Sequence, residues 1–197
     1  LINTHSVDCE IIRHDNSEHK EKIAAENNQG TFGNLSSLLK CFEIAKKEQS
    51  DLIYFVEDDY LHYDHSLVDM LDTYERISSQ HKDEIIVCPS DYPFNYMTNE
   101  KTNVLIGSRQ HWRIITKMLC TFMISKKMFQ NHIDNFEKTC EKRHEPFEKY
   151  LNKILESEIG ISPIKSLAIH MTNVNSSYGL SPFIDIKKLW EENKIGQ

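Results

Sequence analysis

Apolar residues at 35, 38, 39, 42 and 45 recur at i, i+3, i+4 and i+7, a spacing that predicts an amphipathic helix over 34–48, capped by Asn34 or Ser36. A second helix is predicted over 66–80, from apolar positions 67, 70, 71, 74 and 77. Between them, residues 51–56 read DLIYFV, an apolar run without polar alternation. That is the pattern of a strand buried on both faces, as in a parallel sheet. Residues 84–89, EIIVCP, repeat the pattern and end in a proline. An earlier strand is expected over 7–15, and a helix after it, started by Ser17 and stopped by Gly30. Residues 103–118 read as a strand pair, and 120–129 as a strand running into a helix. Helical pattern fills 131–158 with a break near Pro146, then a short strand over 165–170 and a last helix over 184–194.

Strand, helix, strand, helix, strand is an α/β order. The expectation is one domain over 1–197, with a mostly parallel central sheet flanked by helices. Of 197 residues, 39% are hydrophobic, enough for a core. The net charge of -7 lacks the basic footprint of a nucleic-acid binder, so nucleic acid is not expected as a partner. Five scattered cysteines without CxxC spacing imply reduced thiols and a cytoplasmic setting rather than a disulfide framework. No apolar run approaches the ~20 residues needed to span a bilayer.

The chemistry concentrates where DLIYFV ends. Glu57, Asp58 and Asp59 follow the run directly, and three adjacent carboxylates repel unless a cation offsets them. Ligands of open α/β sheets bind outside the carboxyl ends of the strands. Hard carboxylate oxygens there suit Mg2+ or Mn2+, which also bind phosphates. An acidic turn in water is the alternative.

An apolar strand ending in EDD resembles the DxD motif of GT-A-fold glycosyltransferases, of the family-2 type. The resemblance covers about residues 7–150. It implies a Rossmann-like GT-A domain, here lacking its first strand, with a small acceptor-side sheet. Asp59 would coordinate Mn2+ or Mg2+, Asp58 would bind the ribose or the metal's water shell, and Glu57 would face the nucleotide or sugar. Asp15, in RHDNSE, matches the acid that contacts the base. Asn28, Gly30 and Asn34 match the N-x-G segment before the helix over the nucleotide. His170, at the end of SLAIH, matches the C-terminal histidine that some of these enzymes add as a metal ligand. Glu145 matches the first acid of a helix-starting pair that supplies the catalytic base, although Pro146 stands where the second acid is usual.

Around Arg109 and His111, Trp112 offers an aromatic plane for a sugar and Arg113 a cation for a diphosphate, unless the Trp is core and the Arg surface. Asp91, in the loop 89–97, is a secondary contact for donor sugar or acceptor and next in line as base. Together these imply an inverting, metal-dependent transfer of a sugar from a nucleoside-diphosphate donor to a glycan or lipid-linked hydroxyl. Peripheral membrane association and a surface-polysaccharide role are compatible with that reading. A nucleotidyltransferase and a non-catalytic carbohydrate- or partner-binding domain are the alternatives.

Overall fold

The periodicity at 35–45 forms helix α1 (Phe32–Ala45), with Leu35, Leu39, Phe42 and Ala45 buried. The computed structural model describes residues 10–24, 30–175 and 179–194. Helix α1 begins two residues before the expected start. Thr31 occupies the N-cap, so neither Asn34 nor Ser36 caps it. Ser36 faces inward instead. Its Oγ lies 2.8 Å from both His14 Nε2 and His19 Nδ1, and it donates to the Asn16 carbonyl. That cluster ties the 14–19 segment to α1. Residues 10–15 form no strand, contrary to expectation, and 7–9 lie outside the described residues. Asp15 caps a 3-10 turn, Asn16–His19, by accepting the Ser17 N–H.

Among the described residues, eight strands and five more helices follow. The strands are β1 (Leu52–Phe55), β2 (Tyr60–His62), β3 (Ile85–Val87), β4 (Val104–Ile106), β5 (His111–Ile115), β6 (Phe122–Ser125), β7 (Ile159–Pro163) and β8 (Ala168–His170). The helices are α2 (Ser66–His81), α3 (Lys126–Asn131), α4 (Ile133–Glu141), α5 (Lys149–Ile154) and α6 (Ile186–Glu192). Six strands make a mixed sheet in the order β1-β6-β3-β7-β5-β4.

The expectation of a mostly parallel sheet is corrected: among the described residues, only β3 and β7 pair in parallel. An apolar run records burial and not direction. DLIYFV became β1, antiparallel to β6, with Phe55 opposite Phe122. Strand β7 was not expected, because Gly160, Ser162 and Pro163 weaken its pattern, yet it lies between β3 and β5.

Helices cover both faces. On one, α1, α4 and α5 enclose Phe42, Phe55, Phe122, Phe129 and Phe136, with ring centroids 4.8 to 6.4 Å apart. Each fully buried phenyl contributes roughly 1.5–3 kcal/mol of transfer free energy. On the other face, α2 packs Met70 and Ile77 against Ile85, Val87, Trp112 and Ile161. Among the described residues, no helix is long and apolar enough to cross a membrane.

A separate two-stranded ladder pairs β2 with β8: Tyr60 opposite His170, Leu61 opposite Ile169, His62 opposite Ala168. Backbone bonds extend it at both ends. Met171 N–H donates to the Asp59 carbonyl at 2.9 Å, and Tyr63 N–H to the Leu167 carbonyl at 3.0 Å. This ladder positions the site.

Candidate active site

The three carboxylates fill the turn between β1 and β2. Val56 steps out of the sheet, and Glu57 turns back toward β6, donating its backbone N–H to Thr121 Oγ1 at 3.0 Å. Asp58 is exposed. Asp59 sits where β2 begins, and the ladder brings His170 to it. Its Oδ2 lies 2.8 Å from His170 Nε2. Behind the imidazole, the Tyr60 ring stacks at 4.8 Å with an interplanar angle of 13°. The buried Tyr60 hydroxyl meets that of Tyr92 at 2.9 Å.

A cavity of about 340 Å³ adjoins the turn. Glu57, Asp58 and Asp59 line one wall, Asn34 and Ser37 of α1 another, and Phe147 closes the end. The electrostatics are those of crowded acids. Burial pushes the Glu57 carboxyl up to about 7, and the negative charges of Asp59 and Glu148 add to the rise. Burial also raises Glu148, at the N-cap of α5, while His170 pulls it back. Glu148 therefore belongs to the same electrostatic cluster as Glu57 and His170. Sequence reasoning missed it. The signal was present as a second acid three residues beyond Glu145, at the N-cap of α5.

Several expected residues stand elsewhere. Glu145 is exposed and accepts from Arg143 Nε at 3.2 Å, so its carboxylate is turned to solvent. Trp112 is corrected from a sugar platform to core. It is fully buried between β4, β7 and α2, which leaves no ring face for a ligand.

Asp91 is corrected as a base. Its side chain has 0% exposure, accepts from the Tyr96 hydroxyl and pairs with Arg113 at 3.4 Å. Burial raises its pKa to about 6 against the pull of both partners. Arg113 is corrected with it: it lies over the Tyr96 ring at 4.4 Å, donates to the Tyr96 hydroxyl and faces inward rather than toward a diphosphate. This triad pins the 91–97 loop to β5.

Asp15 is exposed in its capping role, with its carboxyl held low by the Ser17 N–H. Gly30 takes φ +86 before α1, a left-handed conformation that favours glycine. Neither Asp15 nor Gly30 lines the cavity, whereas Asn34 does. Asn28 lies outside the described residues.

Asp59 offers a carboxylate oxygen, which suits Mn2+ or Mg2+, while the His170 imidazole would suit Mn2+ of the two and only once Nε2 gives up the proton that Asp59 accepts. Among the described residues, no three His, Cys, Asp or Glu side chains form a metal cage. A divalent cation on two protein ligands would therefore take the rest of its shell from water and substrate phosphates, the usual arrangement for Mg2+ at phosphate sites.

No protein-family model matches the chain, and no curated protein matches it in sequence.

Proposed function

We propose that this chain is a metal-dependent glycosyltransferase that moves a sugar from a nucleoside-diphosphate donor to a glycan or lipid-linked hydroxyl, with inversion. The observation that carries the reading is the meeting of Asp59 with His170 beside a carboxylate-lined cavity bounded by α1. Asp59 and His170 would hold Mn2+ or Mg2+, with Asp58 at the cavity mouth. The cation supplies neutralising charge for a leaving diphosphate.

The chain's own groups account for the rest. Asn34 and Ser37 offer hydrogen bonds to the nucleotide across the cavity. Glu57, on the same wall of the cavity, accepts from a sugar hydroxyl. Glu148 replaces Glu145 as the base. Its carboxyl is partly withdrawn from water and its pKa is raised, which makes it a stronger base than solvent-exposed Glu145, although it lies behind the cavity lining and not in it.

Thermal unfolding tests the reading, with each nucleoside diphosphate run once with Mn2+ and once with EDTA. A ligand at 100 times its Kd adds about 2.7 kcal/mol, a rise of several degrees. The expected result is a rise for one nucleotide that requires Mn2+ and vanishes in Asp59→Ala. A rise that survives in EDTA, or none for any nucleotide, overturns it.

A further inference from the structure

A second cavity, of about 350 Å³, lies at the other end of the β2–β8 ladder. Asp59 and His170 mark the first end; Tyr63 and Leu167 mark this one and line the cavity. Tyr60 to Tyr63 is three residues of extended chain, so the two ends are about 10 Å apart.

The floor and the rim of this cavity differ in chemistry. Asp69, only 2% exposed, and Gln110 form the floor. Asp69 accepts from Thr73 at 3.3 Å and from Gln110 Nε2 at 3.2 Å. Gln110 Oε1 is buried with no hydrogen-bond partner, and an unmet buried acceptor is costly. Three cations stand at the rim: Arg109, Lys165 and Lys188. Arg109 reaches Asp72 at 3.5 Å and Lys188 reaches Glu192 at 3.6 Å, both long contacts. Asp185 also lines the cavity, but its Oδ1 is engaged by the Lys188 N–H as the cap of α6. At the mouth stands Phe183, 81% exposed and held at φ +70. A bulky residue in the left-handed region is strained, and such strain gathers at ligand sites.

We infer that this second cavity binds a small anionic sugar, one carrying a phosphate or a carboxylate. Asp69 on the floor accepts from a sugar hydroxyl, the Gln110 oxygen accepts from another once its amide turns toward the cavity, the rim cations meet the anion, and the Phe183 ring covers the apolar face of the sugar. The ligand needs both halves. A bare anion would leave the floor untouched, and a neutral sugar would leave Arg109 and Lys188 only their long contacts to Asp72 and Glu192. The site stands independently of the transferase reading, since none of its residues lines the first cavity.

The test is calorimetric titration of the full chain in EDTA and 150 mM salt, with glucose 6-phosphate, glucuronic acid, glucose and inorganic phosphate as probes. The expected result is saturable binding of at least one of the first two, at least tenfold tighter than glucose or phosphate. Which of the two binds identifies the anion as phosphate or carboxylate. Lys165→Ala, an exposed substitution, should weaken that binding at least tenfold, as should Gln110→Ala, while Asp59→Ala leaves it unchanged. No binding of either anionic sugar, or binding equalled by phosphate alone, overturns the inference. So does binding that ignores Lys165→Ala or disappears in Asp59→Ala. EDTA keeps the outcome separate from that of the metal-dependent site.

Discussion

Asp59 and His170 stand 111 positions apart and meet at 2.8 Å, because the β2–β8 ladder sets Tyr60 opposite His170. The pair exists only when both strands are formed and in register. A one-residue slip would turn the imidazole to the other face of the ladder.

His170→Ala should therefore weaken Mn2+ binding at least tenfold and leave the fold intact, since His170 is only partly buried. Electron paramagnetic resonance of free Mn2+ measures this directly. If the two share one cation, the double variant with Asp59→Ala should lose little more than either single change. Independent, additive losses would mean the two side chains do not share a cation.

The base assignment separates two glutamates three residues apart. Glu148→Gln should lower the rate of sugar transfer by about 10²–10⁴ with donor binding retained. Glu145→Gln, at an exposed carboxylate, should stay within about twofold of the parent. Single-turnover kinetics with the donor identified by thermal unfolding distinguishes them, and the reverse order of effects would return the role to Glu145.

Stability should depend on pH through Glu57. The folded carboxyl keeps its proton to about pH 7, whereas the ordinary value is 4.5. The folded state then binds more protons than the unfolded one, so stability falls as pH rises from about 4.5 to about 7 and levels off above. Allowing for partial exposure, the loss is about 2 kcal/mol, or about 5 °C in Tm. Glu57→Gln should remove most of that slope and raise the Tm at pH 8 in EDTA. An unchanged slope in the variant would assign the pH dependence to other groups.

Gly107 lies in the turn between β4 and β5, where its N–H donates to the Gln110 carbonyl. A Cβ added there would overlap the Trp112 ring and come within 2.9 Å of Thr73 Oγ1. Gly107→Ala should cost about 1–3 kcal/mol by overpacking, read as a lower urea midpoint. Because Thr73 also holds Asp69, the same variant should loosen the floor of the second cavity.

Helices α1 and α2 were legible in the sequence because their signal is local, whereas the helix expected from Ser17 to Gly30 is only the 3-10 turn Asn16–His19 among the described residues. Leu35, Leu39 and Phe42 mark one stripe of α1 whatever that stripe packs against, and the turn at Glu57–Asp59 follows directly from the end of an apolar run. The meeting of His170 with Asp59 was expected only through resemblance. No local pattern encodes a contact across 111 positions. Sheet direction was misread for the same reason: the run at Leu52–Phe55 is equally apolar beside a parallel or an antiparallel neighbour. Trp112 and Arg113 sit side by side and looked like one surface. Strand alternation sends Trp112 into the α2 face and Arg113 to Asp91, and only the register of β5 decides which way each points. Glu148 was passed over because its value lies in its neighbours, Glu57 and His170, which come from elements far away in the chain.

The stack of Tyr60 on His170 has an entropic consequence. An imidazole free to rotate loses roughly 0.5–1.5 kcal/mol of conformational freedom when a ligand fixes it. With the Tyr60 ring behind it and Asp59 in front, His170 has already given up that freedom when the chain folds. A cation bound there would replace the proton that Nε2 now donates to Asp59, but it would not have to order the ring, and its affinity would reflect the bonds exchanged rather than the ordering of the side chain.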